Sequence, residues 1–159
     1  MFDAEALLRR LAEQEVEFIL VGGVAAAVHG SVRLTTDLDI VYARSATNLE
    51  RMASALAPLS PTLRGAPPGL PFRLDSATLS RGLNFTLTTT LGDIDLLGEI
   101  TGGGGYAALR PDTKEIEVFG IRCRCLTLER LIHVKRAAGR PKDLESIAEL
   151  EALREEGAE

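Results

Sequence analysis

Cysteine is scarce in this chain: Cys123 and Cys125 are the only two. They are two apart in a predicted strand, and no other Cys or His spacing completes a zinc site. Two reduced structural thiols are therefore expected. Long apolar runs are missing as well. The longest stretch, 18–28, holds two glycines and is too short to span a bilayer. The first five residues, Met-Phe-Asp-Ala-Glu, lack the basic start and apolar run of a secretory signal, so a cytoplasmic protein with no membrane partner is expected. No Gly-Lys-Ser/Thr follows any glycine cluster, which excludes a P-loop. Gly22-Gly23 opens a predicted helix of under two turns, which excludes a dinucleotide-binding G-x-G-x-x-G site.

What is present is ordinary in bulk and uneven in detail. The 159 residues suit one domain with a full core, and 45% hydrophobic with 26% charged residues is the balance of a globular protein. The net charge of −5 argues against a long duplex nucleic acid as partner. Residues 122–142, however, carry seven Lys/Arg against Glu129 alone, a local +6 that leaves −11 elsewhere. A basic patch on an acidic protein suits a small polyanion such as a nucleoside triphosphate.

Local patterns predict alternating helices and strands. Asp3 caps a first helix over about 4–14 with Leu7, Leu8 and Leu11 on its apolar face. Residues 16–21 read as a buried strand, 24–28 as a short helix ending at His29-Gly30, 38–42 as a strand and 46–57 as a helix. Residues 58–71, with five prolines and two glycines, read as an irregular, mobile loop. Strands are expected at about 72–75, 82–90 and 93–98, a short helical piece at 106–109, and a hairpin of strands at 115–119 and 121–125. Thr127 caps a helix to Ala138, ended by Gly139 and Pro141, and a charged helix spans about 143–155. The C-terminal helices thus cover about 127–155, in a single domain over 1–159. The predicted fold is α/β, a mixed twisted sheet with helices packed against it.

Two acid-apolar-acid pairs stand out, Asp37-Leu38-Asp39 and Asp93-Ile94-Asp95. On a strand, that spacing puts both carboxylates on one face while the middle residue packs on the other. Carboxylates crowded on one face are tolerated in solvent or when a divalent cation neutralises them. Asp95, between Ile94 and Leu96, reads as an embedded strand acid; Asp93 follows Gly92 and reads as a turn residue. Gly22-Gly23 is either a plain tight turn or a set of free N–H groups for a phosphate. Arg33, four residues before Asp37, either reaches a phosphate or the acids, or is an isolated surface arginine. Lys135 lies on the inward face set by Leu128, Leu131 and Ile132, where it either snorkels or faces a ligand. His29 reads as a helix C-terminal residue rather than a catalyst. Arg140 and Lys142 read as residues of a solvated turn, with closure over a triphosphate as the alternative.

The run from Val21-Gly22-Gly23 through His29-Gly30, Arg33 and Thr35-Thr36 to Asp37-Leu-Asp39-Ile resembles the signature of the DNA polymerase beta-like nucleotidyltransferase superfamily. The resemblance is strongest to small bacterial members, toxin–antitoxin nucleotidyltransferases and antibiotic adenylyltransferases. The stretch Leu131-Ile-His-Val-Lys135 to Gly139-Arg140-Pro-Lys142-Asp143-Leu is similar to their closing segment. This resemblance implies Asp37, Asp39 and Asp95 as catalytic metal ligands for Mg²⁺, with two ions, and Gly22 and Gly23 as the triphosphate cradle. The expected activity is transfer of a nucleoside monophosphate from an NTP, such as ATP, to an acceptor hydroxyl on a partner protein, a tRNA end or a small alcohol. The alternative is a weakly active or inactive nucleotide-binding module of a toxin–antitoxin pair. One departure is visible: many members carry Ser where this chain has Gly23.

Overall fold

The computed structural model describes residues 1–67 and 69–157. Helix α1 (Ala4–Glu13) starts where Asp3 accepts a hydrogen bond from the Ala6 N–H at 2.9 Å, and buries Leu7, Leu8 and Leu11. Strand β1 (Phe18–Val21) is buried at every position and runs straight into α2 (Gly22–Val28). Strand β2 (Asp37–Tyr42) follows, then α3 (Ala46–Leu56), capped by Ser45. After β3 (Thr62–Leu63) come α4 (Ser76–Arg81), β4 (Phe85–Thr89) and β5 (Gly92–Leu97). Helix α5 (Tyr106–Leu109) leads to the hairpin β6 (Thr113–Val118) and β7 (Ile121–Leu126). Helices α6 (Leu128–Ala138) and α7 (Pro141–Gly157) close the fold.

Among the described residues, seven strands form one sheet in the order β3-β4-β5-β2-β1-β7-β6. It is mixed: β1 pairs parallel with β7 and β2 parallel with β5, while β1–β2, β3–β4, β4–β5 and β6–β7 are antiparallel. The predicted α/β fold with a mixed sheet and packed helices is therefore the one observed. Strand β1, buried at every position, is apolar throughout, whereas β2 and β5 alternate apolar residues with acids in their first half. Ile19, Leu20, Leu38, Ile40, Leu87, Ile94 and Leu96 are fully buried and join Leu7, Leu8, Met52 and Leu56 in one continuous core. Each such side chain contributes about 1.5–3 kcal/mol on leaving water. Among the described residues, no helix is long and apolar enough to cross a membrane.

Several boundaries differ from the sequence expectations. Residues 72–75 form no strand. Instead Asp75 caps α4, its Oδ1 accepting from the Thr78 N–H at 2.8 Å. Residues 58–71 are not wholly irregular: Leu59 ends a 3₁₀ turn, and β3 pairs Thr62 with Thr88 and Leu63 with Leu87. Pro68 of that stretch lies outside the described residues. Strand β1 begins at Phe18 because Glu15, at φ +55°, and the Val16 N–H bonded to the Leu11 carbonyl still belong to the end of α1. Cys123 and Cys125 are free and buried in β7, and burial pushes their thiols up to about 11 and about 12. They are inert structural thiols at neutral pH.

Candidate active site

The parallel pairing of β2 with β5 sets Asp37 beside Asp93 and Asp39 beside Asp95. In both strands the acids alternate with buried Leu38, Ile40, Ile94 and Leu96, so all four carboxylates emerge on one face of the sheet. One oxygen from each of Asp37, Asp39 and Asp95 lies within 4.8 Å of the others. Asp93 does not join them. It is a strand residue rather than the turn residue expected, and it faces Arg64 across 3.2 Å.

Electrostatically Asp37 and Asp39 are under stress. Burial, followed by the charges of Asp37 and Asp95, pushes Asp39 up to about 8. Burial and the Asp95 charge also raise Asp37. The Oδ1 of Asp95 is fully buried against the Arg64 guanidinium, with Nη2 at 2.8 Å. Three carboxylates that bring one oxygen each within 4.8 Å of the others are a donor set suited to a hard divalent cation.

The glycines follow from the acids. Gly22 sits at φ +65°, and a Cβ there would fall 2.0 Å from Asp39 Oδ2. Only glycine lets the β1–α2 turn approach the carboxylate so closely. A Cβ on Gly23 would lie 2.6 Å from Thr35 Oγ1, so Thr35 fills the space a side chain at 23 would take. The departure at Gly23 is thus matched by a hydroxyl arriving from the segment before β2.

A cleft of about 700 Å³ opens over this face, lined by Gly22, Gly23, Arg33, Asp37, Asp39, Asp95 and Lys135. All seven residues expected at a site line it together. Lys135, Arg140 and Lys142, from α6 to the start of α7, line the same cleft together with Asp143 and Glu149. Lys135 is largely buried, with Nζ 3.9 Å from Asp143 Oδ1. Burial is the main cause lowering its pKa, with Asp143 and Asp39 pulling the other way. Arg140 is clamped rather than free: its Nε donates to Asp143 Oδ2 at 2.6 Å, and Asp143 is almost wholly buried. Lys142 is exposed at the rim. Arg33 turns toward α7, its Nε 3.7 Å from Glu149 Oε1. Glu149 also accepts from Ser31 Oγ at 2.6 Å and from the Val32 N–H at 3.2 Å, tying the segment before β2 to α7. His29 ends α2, and its Nε2 lies 2.7 Å from the Leu126 carbonyl oxygen. That places it in structure holding α2 to β7.

Two residues escaped the sequence patterns. Asp143, the buried acid beside Lys135 and Arg140, stands at the start of the predicted charged helix, where nothing in the sequence marks it as buried. Arg64, just past β3, reaches Asp95 Oδ1 with Nη2 at 2.8 Å. No local pattern marks an arginine in a proline-rich loop; only the β3–β4 pairing brings it to the acids.

No family model matches the chain, and no curated protein matches it. Five chains of solved structures do. One is a candidate nucleotidyltransferase from Thermotoga maritima, 15% identical, with a TM-score of 0.57 over 90% of this chain and 86% of that one. The fold is nucleotidyltransferase-like. At that identity the likeness establishes the architecture, and the chemistry rests on the residues of this cleft.

Proposed function

We propose that the chain is a metal-dependent nucleotidyltransferase, moving a nucleoside monophosphate from an NTP to an acceptor hydroxyl. The observation that carries this reading is that three convergent carboxylates line one cleft together with Lys135 and Arg140. A carboxylate cluster alone would repel a triphosphate, and a basic wall alone would only bind one. Together they suit a phosphate chain met by bound metal and by side-chain cations. The nucleotidyltransferase description of the Thermotoga protein of like fold supports the same reaction class.

Asp37, Asp39 and Asp95 would hold Mg²⁺, with two ions as the expected complement. When bound, the metal neutralises phosphate charge and lowers the pKa of the acceptor hydroxyl. The first turn of α2 leaves the Gly22 and Gly23 N–H groups without intrahelical partners, and these are assigned to the β- and γ-phosphates. Lys135 neutralises the same phosphates, while Arg33 reaches them on leaving Glu149. In the reaction the acceptor oxygen bonds to the α-phosphorus as the α–β bridging P–O bond breaks. Pyrophosphate leaves toward Gly22-Gly23 and the basic wall, and the acceptor proton passes to Asp95. The acceptor is a hydroxyl on a partner protein, a tRNA end or a small alcohol.

Incubation with Mg²⁺, each NTP and these acceptor classes, scored by pyrophosphate release, tests the reading. Release is expected from the native chain and should vanish in Asp39→Asn with the fold intact. Equal rates in the two proteins would sink the metal-dependent scheme.

A further inference from the structure

The second acid pair contains a residue that the transfer chemistry does not use, and its partner is Arg64. Four carboxylates stand two by two where β2 meets β5. Among the described residues, Arg64 is the sole cationic side chain within 4.0 Å of any of them. Its Nη2 is 2.8 Å from Asp95 Oδ1, and its Nε is 3.2 Å from Asp93 Oδ2. The backbone is fixed by Arg64 N–H donating to the Thr86 carbonyl at 2.9 Å. Nη2 also donates to the Leu87 carbonyl at 2.7 Å, so the guanidinium crosses β4 to reach β5.

The character of the contact matters. Arg64 Nε and Asp95 Oδ1 are both buried, and neither makes an aligned hydrogen bond. Arg64 therefore meets Asp95 as a charge rather than as a geometric lock. It covers one oxygen of Asp95, while the Asp95 side chain still lines the cleft.

We propose that Arg64 is a resident counter-cation of the acid cluster: anchored by Asp93, it offsets the charge of Asp95 and sets how tightly Asp37, Asp39 and Asp95 take a divalent ion. This role rests on the cation-binding reading of the cluster. It also gives Asp93 a function as the anchor of Arg64 rather than as a ligand. A fixed positive charge beside a metal site weakens the metal, and a fixed negative charge strengthens it. Arg64 and Asp93 should thus act in opposite directions, and removing both should nearly cancel. A purely packing role for Arg64 predicts no such ordering.

Titration of the metal-free full-length chain with Mn²⁺, reading free Mn²⁺ by electron paramagnetic resonance without nucleotide, tests this directly. Arg64→Gln removes the charge while keeping a polar side chain out to the position of Nε, and should bind Mn²⁺ about tenfold tighter than the native chain. Arg64→Lys should stay within about threefold of native, Asp93→Asn should bind more weakly, and the double variant should return near native. If Arg64→Gln unfolds without metal, recovery of its native circular dichroism on saturation with Mn²⁺ would equally support the role. Unchanged or weaker Mn²⁺ binding by a folded Arg64→Gln would overturn it, as would an unfolded variant that Mn²⁺ fails to rescue or no Mn²⁺ binding by any variant. The transferase reading fails on a different result: Mn²⁺ bound with the expected ordering, but no pyrophosphate released from any NTP.

Discussion

Gly22 and Asp39 contend for the same space: a Cβ on Gly22 would stand 2.0 Å from the Asp39 Oδ2. Val21, the residue before it, pairs with Asp39 across β1 and β2, so the sheet register itself drives the glycine turn against the carboxylate. Gly22→Ala would add left-handed strain of about 1–2 kcal/mol to this collision. Thermal unfolding should show a Tm lower by about 3–8 °C, together with weakened divalent-cation binding. An alanine variant with native Tm and native Mn²⁺ affinity would show that the close approach is not required.

Gly23 and Thr35 should behave as a reciprocal pair. Gly23→Ser places new atoms against Thr35 Oγ1, where a Cβ alone would be 2.6 Å away. Overpacking of this kind costs about 1–3 kcal/mol. The double variant Gly23→Ser/Thr35→Ala should recover most of that loss, exchanging the source of the hydroxyl. Denaturant melts of the two single variants and the double would show additive losses if the residues were independent.

The acid cluster should make the metal-free protein less stable as pH rises. Asp39 is pushed up to about 8 from 3.8, chiefly by burial, so the folded chain holds this proton more tightly than the unfolded chain. Stability is therefore lost as pH climbs from about 4 to about 8, and Asp37 shifts in the same direction. Asp143, whose pKa is lowered, adds stability that is lost only in acid, below that window. The Tm of metal-free protein should fall between about pH 5 and 8, and Asp39→Asn should flatten the fall. Saturating Mn²⁺ should raise Tm more at pH 8 than at pH 5, since the metal must displace the Asp39 proton completely at pH 5 and only in part at pH 8. A Tm that rises with pH across this range would contradict the assignment.

Lys135 should matter for nucleotide and not for metal. It lines the same cleft as the acids, held through Asp143 rather than by any of them. Lys135→Met should raise the KM for NTP about tenfold while Mn²⁺ affinity without nucleotide stays near native. Loss of Mn²⁺ binding in this variant would place Lys135 in the acid cluster's own structure.

The faces of the acid pairs were legible in the sequence because a strand alternates strictly. Leu38 and Ile94 had to point one way and their flanking acids the other. The α1 and α6 caps at Asp3 and Thr127 were legible for the same local reason, a short polar side chain ahead of an apolar helical face. Helix α4 was not. Six residues are too few to display a helical period, and only the Asp75 cap marks it. Strand β3 was hidden because two residues among prolines carry no alternation; its partner in β4 defines it. The reach of Arg64 depends on that same distant pairing, and the strand placement of Asp93 on the pairing of β5 with β4 and β2. Asp143 gave no signal of burial in the sequence, because its burial depends on the packing of α7 on α6.

The most direct test of the central claim, that one cleft joins a metal-binding acid cluster to a triphosphate-binding wall, is calorimetric titration with Mg²⁺ and NTP. The native chain should bind at least one NTP saturably with Mg²⁺ present and lose that binding with chelator. Asp39→Asn should fail to bind in either condition while keeping its native circular dichroism. Absence of metal-dependent binding for every NTP, or equal binding by Asp39→Asn, would contradict the account.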